Sequence, residues 1–99
     1  MVVMIHKTTL IFDSGGVHHF AEPVHVLSVG LQRGIWCVWY MVSPPSDKWV
    51  TKALEVYDTG HPMRDNGLGR RFVGTTLFHE DSLVLHVFAV DYQAPATKT

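Results

Sequence analysis

The sequence predicts an all-β fold, a single small antiparallel β-sandwich or partly open barrel of about seven strands. Three observations carry that expectation. Valine, threonine and aromatic residues come in short runs broken by glycine, proline and aspartate, which is the strand-and-turn pattern. No long window repeats its apolar residues at helical spacing. One run, Ile35 to Val42, is apolar on both alternating faces, as a central strand covered on two sides requires. A single sheet with a partner over its second face fits the same pattern.

The first strand is expected over about Met4–Phe12, closed by the turn Asp13-Ser14-Gly15-Gly16. A short strand from Val17 to Phe20 follows, stopped by Glu22-Pro23. The third, Val24–Gln32, places His25, Leu27, Val29 and Leu31 on one face and Val26, Ser28 and Gly30 on the other. Arg33-Gly34 makes a two-residue hairpin, with glycine supplying the positive φ and arginine a poor first residue. In the simplest register Leu31 then opposes Trp36, and Ser28 opposes Trp39.

Ser43 to Asp47, with two prolines, breaks the chain before a strand over Trp49–Tyr57. There Val50, Leu54 and Val56 face inward, with Lys52 as the exception. Asp58–Arg71 is the longest irregular stretch, too long for a tight turn and of a length often functional or flexible. Phe72–His79 and Leu83–Val90 close a single domain, residues 1–91, joined through Glu80-Asp81-Ser82. A polar tail, residues 92–99, is expected to fray.

Composition bounds the function. The chain has 99 residues, 46% hydrophobic and only 17% charged, against about 25% charged in ordinary globular chains. So little charge fits either a sheet covered on both faces or surface buried in a homo-oligomer, and the oligomer is the favoured expectation. A net charge of −1 argues against duplex nucleic acid, whose phosphates demand a basic excess. No run approaches the ~18 apolar residues of a membrane helix, and the first residues do not read as a signal peptide. The lone Cys37 permits no intrachain disulfide, reads as a small buried apolar residue, and points to the cytosol.

The loop around Thr59-Gly60-His61-Pro62 is the best candidate site. Gly60 reaches backbone angles closed to other residues, and Pro62 restrains His61. Arg64, Arg70 and Arg71 add planar cationic forks, which suit a phosphate or carboxylate ligand. The plainer alternative is a surface loop whose arginines pair with Asp58 and Asp65. The seven histidines show no metal-ligand spacing, so neither a metal nor another cofactor is expected. His18 and His19, being adjacent, cannot both look inward on a regular strand. His86 lies between Leu85 and Val87, so its imidazole needs a partner, and Thr75 lies across in the simplest register. Trp36, Trp39 and Tyr40 invite a base-stacking reading, yet core packing or a subunit interface is the simpler one. Asp58 with His61 would make an acid–imidazole pair, but no nucleophile-elbow motif exists, and the protein is expected to be non-enzymatic.

Nearly the whole chain resembles a family of small uncharacterised proteins of tailed bacteriophages and prophages. The resemblance lies in Val26-Leu27-Ser28-Val29, Gln32-Arg33-Gly34, Cys37-Val38-Trp39, Thr59-Gly60-His61-Pro62, Gly74-Thr75, His79 and Leu83-Val84-Leu85-His86-Val87-Phe88. The chain departs from the pattern in a longer segment, Asp65–Arg71, and an extra polar tail. The resemblance implies a phage accessory protein, acting in the host cytoplasm or in the virion, and places His61, His79 and His86 at typical family positions. Two functions then follow as expectations. One is a counter-defence binding protein that sequesters a nucleotide immune signal in an oligomeric pocket. The other is a small virion structural or assembly protein that docks on phage structural proteins through a sheet edge.

Overall fold

The computed structural model describes residues 3–42, 49–80 and 82–93. Within them six strands form one antiparallel sheet: β1 (Ile5–Thr9), β2 (Val17–Gln32), β3 (Ile35–Val42), β4 (Trp49–Asp58), β5 (Arg70–Phe78) and β6 (Leu83–Gln93). Their order across the sheet is β1-β3-β2-β4-β6-β5. The all-β expectation holds, and the sheet is a curled, partly open half-barrel.

Seven expected strands become six because Pro23 does not end a strand. The N-terminal part of β2 pairs with β4, from Val17↔Glu55 to His19↔Ala53, and the next partners are Val24↔Thr51. Pro23 falls in that irregularity, where its missing N–H breaks no ladder bond. From Val24 onward β2 pairs with β3. One bent strand therefore serves both halves of the sheet, and the bend curls the sheet on itself. Gly74 of β5 thereby comes against β2, where an added Cβ would lie 3.1 Å from Val29 Cγ2. Across the same gap the Trp36 indole N–H donates to Thr76 Oγ1 at 2.9 Å.

The core holds Leu10, Val24, Val26, Val38, Leu54, Val87 and Ala89. A run of ring contacts lines the interior beside it: Tyr40–Phe20 at 5.5 Å, Phe20–His18 at 5.0 Å, Phe12–Trp36 at 5.1 Å and Trp36–Phe78 at 5.0 Å. Trp36 and Tyr40 are thus packing residues. As expected of adjacent strand positions, His18 is buried and His19 exposed.

The β2–β3 hairpin forms in the expected register, with Leu31↔Trp36 and Ser28↔Trp39. Arg33 and Gly34 both take positive φ, 51° and 77°, the signature of a type I′ turn. The expected faces of β2 do not survive. A bulge between Val26 and Ser28 shifts the alternation, so Val24 and Val26 point inward before it and Leu27 is exposed. A second bulge, between Thr51 and Ala53, accounts for Lys52: the residue is extra to the ladder and turns to solvent.

Three boundaries also move by more than one residue. β1 stops at Thr9, not Phe12, because the chain must cross from beside β3 to reach β2. Leu10 N–H then donates to Trp36 O, and Ile11 N–H to His18 Nδ1. β5 begins at Arg70, two residues early. β6 runs past Val90 to Gln93, pairing Asp91 with Thr51. The expected break at Ser43–Asp47 and the fraying of residues 94–99 lie outside the described residues.

β3 is central in pairing, and Cys37 and Val38 are buried. Its outer face is less covered than expected, since Ile35 remains half exposed and Trp39 and Met41 only partly buried.

Candidate functional site

The Thr59–Gly69 excursion leaves β4 and returns as β5. Gly60 takes φ 91°, and His61 N–H donates back to Asp58 O at 3.2 Å. Over Arg64–Gly67 the chain makes a turn in which Asp65, Asn66 and Gly67 all have left-handed φ, at 51°, 52° and 80°. The aspartate, asparagine and glycine there are the residue types that tolerate such angles.

Beneath this excursion, on the sheet face away from the core, lies Glu55. It sits between the core residue Leu54 and half-buried Val56, yet its own side chain is 6% exposed. Arg70 grips it as a fork, Nε to Oε1 at 2.9 Å and Nη2 to Oε2 at 3.0 Å. Tyr57 OH donates to Glu55 Oε1 at 2.6 Å. Arg64 approaches Oε2 at 3.7 Å, lies over the Tyr57 ring, donates to Tyr57 OH, and reaches Gly15 O with its other terminal nitrogen. Arg70 also reaches Asp65 and Leu68 O. Burial raises the Glu55 carboxyl pKa, but the hydrogen bonds from Arg70 and Tyr57 and the charges of Arg70 and Arg64 outweigh it. The group is held below the ordinary carboxylate range. The same pairing raises Arg70.

Arg71 is engaged separately, donating to Asp91 Oδ2 at 2.6 Å, and Asp91 also accepts from Thr51. All three arginines of the proposed anion site therefore have internal carboxylate partners.

A second cluster centres on His86. Its Nδ1 meets Thr75 Oγ1 at 2.9 Å, from the position across the ladder, and its Nε2 meets Thr59 Oγ1 at 2.7 Å. A neutral imidazole accepts at one nitrogen and donates at the other, and two hydroxyls satisfy both roles. A hydroxyl on an imidazole nitrogen is the arrangement of a nucleophile with its base. The other nitrogen here meets a second hydroxyl, where hydrolytic triads carry a carboxylate. His61 Nδ1 lies 3.6 Å from Asp58 Oδ2, both exposed.

The structure thus brings Thr59 and His86 together, and groups Arg64 with Arg70. It leaves Gly60 and His61 exposed beside them. His79 stands apart in the β5–β6 turn at φ 52°, with Ser82 N–H donating to its carbonyl. A cavity of about 370 Å³ beside the loop is lined by Asp58, Thr59, Ser82, Leu83 and Val84. Among the described residues it offers an acid and two hydroxyls but no cation. Among the described residues no three His, Cys, Asp or Glu side chains group to hold a metal ion.

Glu55 and Tyr57 are the residues that sequence reasoning missed. The available signal was an acid within Ala53-Leu54-Glu55-Val56-Tyr57, since a carboxylate in a buried strand demands a cation.

A family model described as a domain of unknown function, DUF7352, matches residues 1–98. No curated protein and no solved structure matches the chain.

Proposed function

The chain belongs to the DUF7352 family, and we propose for it a non-catalytic role as a small phage-encoded assembly protein that docks through a sheet edge. The occupant is a second copy. The observation that carries this reading is the contrast between the two edge strands. β1 is five residues long with Lys7 at its middle, a combination that blunts edge-to-edge pairing. β5 is nine residues long and has no charged side chain from Phe72 to Phe78. It exposes Phe72 at 55% and Leu77 at 49%. Its one bulge falls at Val73, which leaves Gly74–Phe78 regular.

Antiparallel pairing of that stretch with its symmetry copy sets Thr76 opposite Thr76 and Leu77 opposite Thr75, with no like charges opposed. The low charged fraction supports the same oligomeric reading. Sequestration of a nucleotide signal at the glycine–histidine–proline loop draws less support, because Arg64, Arg70 and Arg71 are already paired.

The test is sedimentation over a range of protein concentrations. Native protein should associate, and Leu77→Lys, at an exposed position, should sediment as a folded monomer. A native chain that stays monomeric at the highest concentration overturns the proposal.

A further inference from the structure

Two of the described cations without a carboxylate partner lie toward the opposite edge from the loop. Among the described residues Arg64, Arg70 and Arg71 are ion-paired, and Lys52 lies over the Tyr92 ring. Lys7 and Arg33 remain. Both line one cavity of about 420 Å³, together with Thr9, Gln32, Ile35 and Cys37. Among the described residues no acidic side chain lines it.

The ladder explains the grouping. Thr9 and Gly30 both oppose Cys37, and Gln32 opposes Ile35, so these positions share the outer face of β1, β3 and β2. Lys7 reaches across that face and donates from Nζ to Gln32 Oε1 at 2.6 Å. That contact uses the amide oxygen and leaves the amide N–H groups to donate elsewhere. Cys37 stays 3% exposed although its face is open to solvent, with its thiol directed at Ile35 O. The hairpin turn sets Arg33 beside these groups, and its guanidinium has no partner among the described residues.

We propose that this cavity binds a phosphate dianion, free or as the terminal phosphate of a nucleotide. The lining offers an ammonium, a guanidinium fork, a hydroxyl and an amide, all donors, with two positive charges to match two negative ones. A monocarboxylate would leave one cation unmatched. Ile35 gives the ligand an apolar rim.

The experiment is an NMR titration of the full chain with inorganic phosphate, adenosine monophosphate, adenosine and acetate. The Gln32 side-chain amide and the Arg33 Nε–H signals are followed. Saturable shifts are expected with phosphate and with the nucleotide. Equal affinities identify the phosphate group as the whole ligand, and tighter nucleotide binding assigns the base a share.

Arg33→Asn should weaken phosphate binding about tenfold or more. Asparagine suits the first position of a type I′ turn, so this variant keeps the hairpin and a loss of affinity is not a loss of fold. Lys7→Gln should weaken it similarly. Non-saturating shifts, equal response to acetate, or unchanged affinity in Arg33→Asn overturns the proposal.

Discussion

Replacing Glu55 by glutamine tests whether the loop is fastened from within. The substitution keeps shape and leaves Tyr57 a hydrogen-bond acceptor, but it removes the charge facing Arg70. The paired side chains are 6% and 11% exposed, so the loss takes place in a nearly dry setting. Removing one partner of a buried pair costs about 3–5 kcal/mol. Arg70 retains Asp65 at 3.1 Å, and that carboxylate is largely solvated, which lowers the cost to about 2–3 kcal/mol. A domain of this size has roughly 5–15 kcal/mol in all. With a urea slope near 1 kcal/mol/M, the unfolding midpoint should fall by about 2–3 M. The Glu55→Leu, Arg70→Met double variant should recover much of that loss, since an apolar pair leaves no charge stranded. A Glu55→Gln midpoint within about 0.3 M of the native protein would refute the reasoning.

Acid should act through the same carboxylate. Its folded pKa lies below the ordinary 4.5, so its stabilisation is present above that value and lost as the pH falls through the folded value. Urea midpoints between pH 6 and pH 3 should drop more steeply for the native chain than for Glu55→Gln; parallel curves would contradict the clamp. His18 gives a second pH window. Burial is the largest effect and lowers its pKa from 6.5, opposed by the Ile11 backbone contact. The neutral ring is therefore favoured in the fold, and stability should decline as the pH falls below 6.5. His18→Asn, which keeps an acceptor for Ile11 N–H, should flatten that decline in melting temperatures from pH 7.5 to pH 5. Thr76→Val removes the acceptor of the Trp36 indole N–H at a 5% exposed position. It should cost about 1–2 kcal/mol and shift the tryptophan emission, both absent if the bond is incidental.

Much of the fold was legible because it rests on short-range rules. The Arg33-Gly34 turn fixed the β2–β3 register, and the β5–β6 register placed Thr75 opposite His86. What escaped was the effect of bulges. A single extra residue at Leu27 inverts the faces of a strand, and no local pattern marks it. Pro23 misled for the same reason, since whether a proline ends a strand depends on whether a neighbour needs its N–H.

The candidate site was legible as a loop but not as a set of contacts. Asp65 was foreseen as a partner for the arginines and does meet Arg70. The dominant partner, Glu55, comes from a strand 15 residues upstream of Arg70, and that proximity exists only once β4, β6 and β5 are assembled.

The assembly reading is tested most directly by hydrogen exchange at the amides of Gly74–Phe78, followed as the protein is diluted. Alternate amides of this stretch bond β6, and the others point to the open edge. If a second copy pairs there, the outward amides are protected in concentrated protein and exchange faster on dilution. Fast exchange of those amides at every concentration would mean that the edge stays bare.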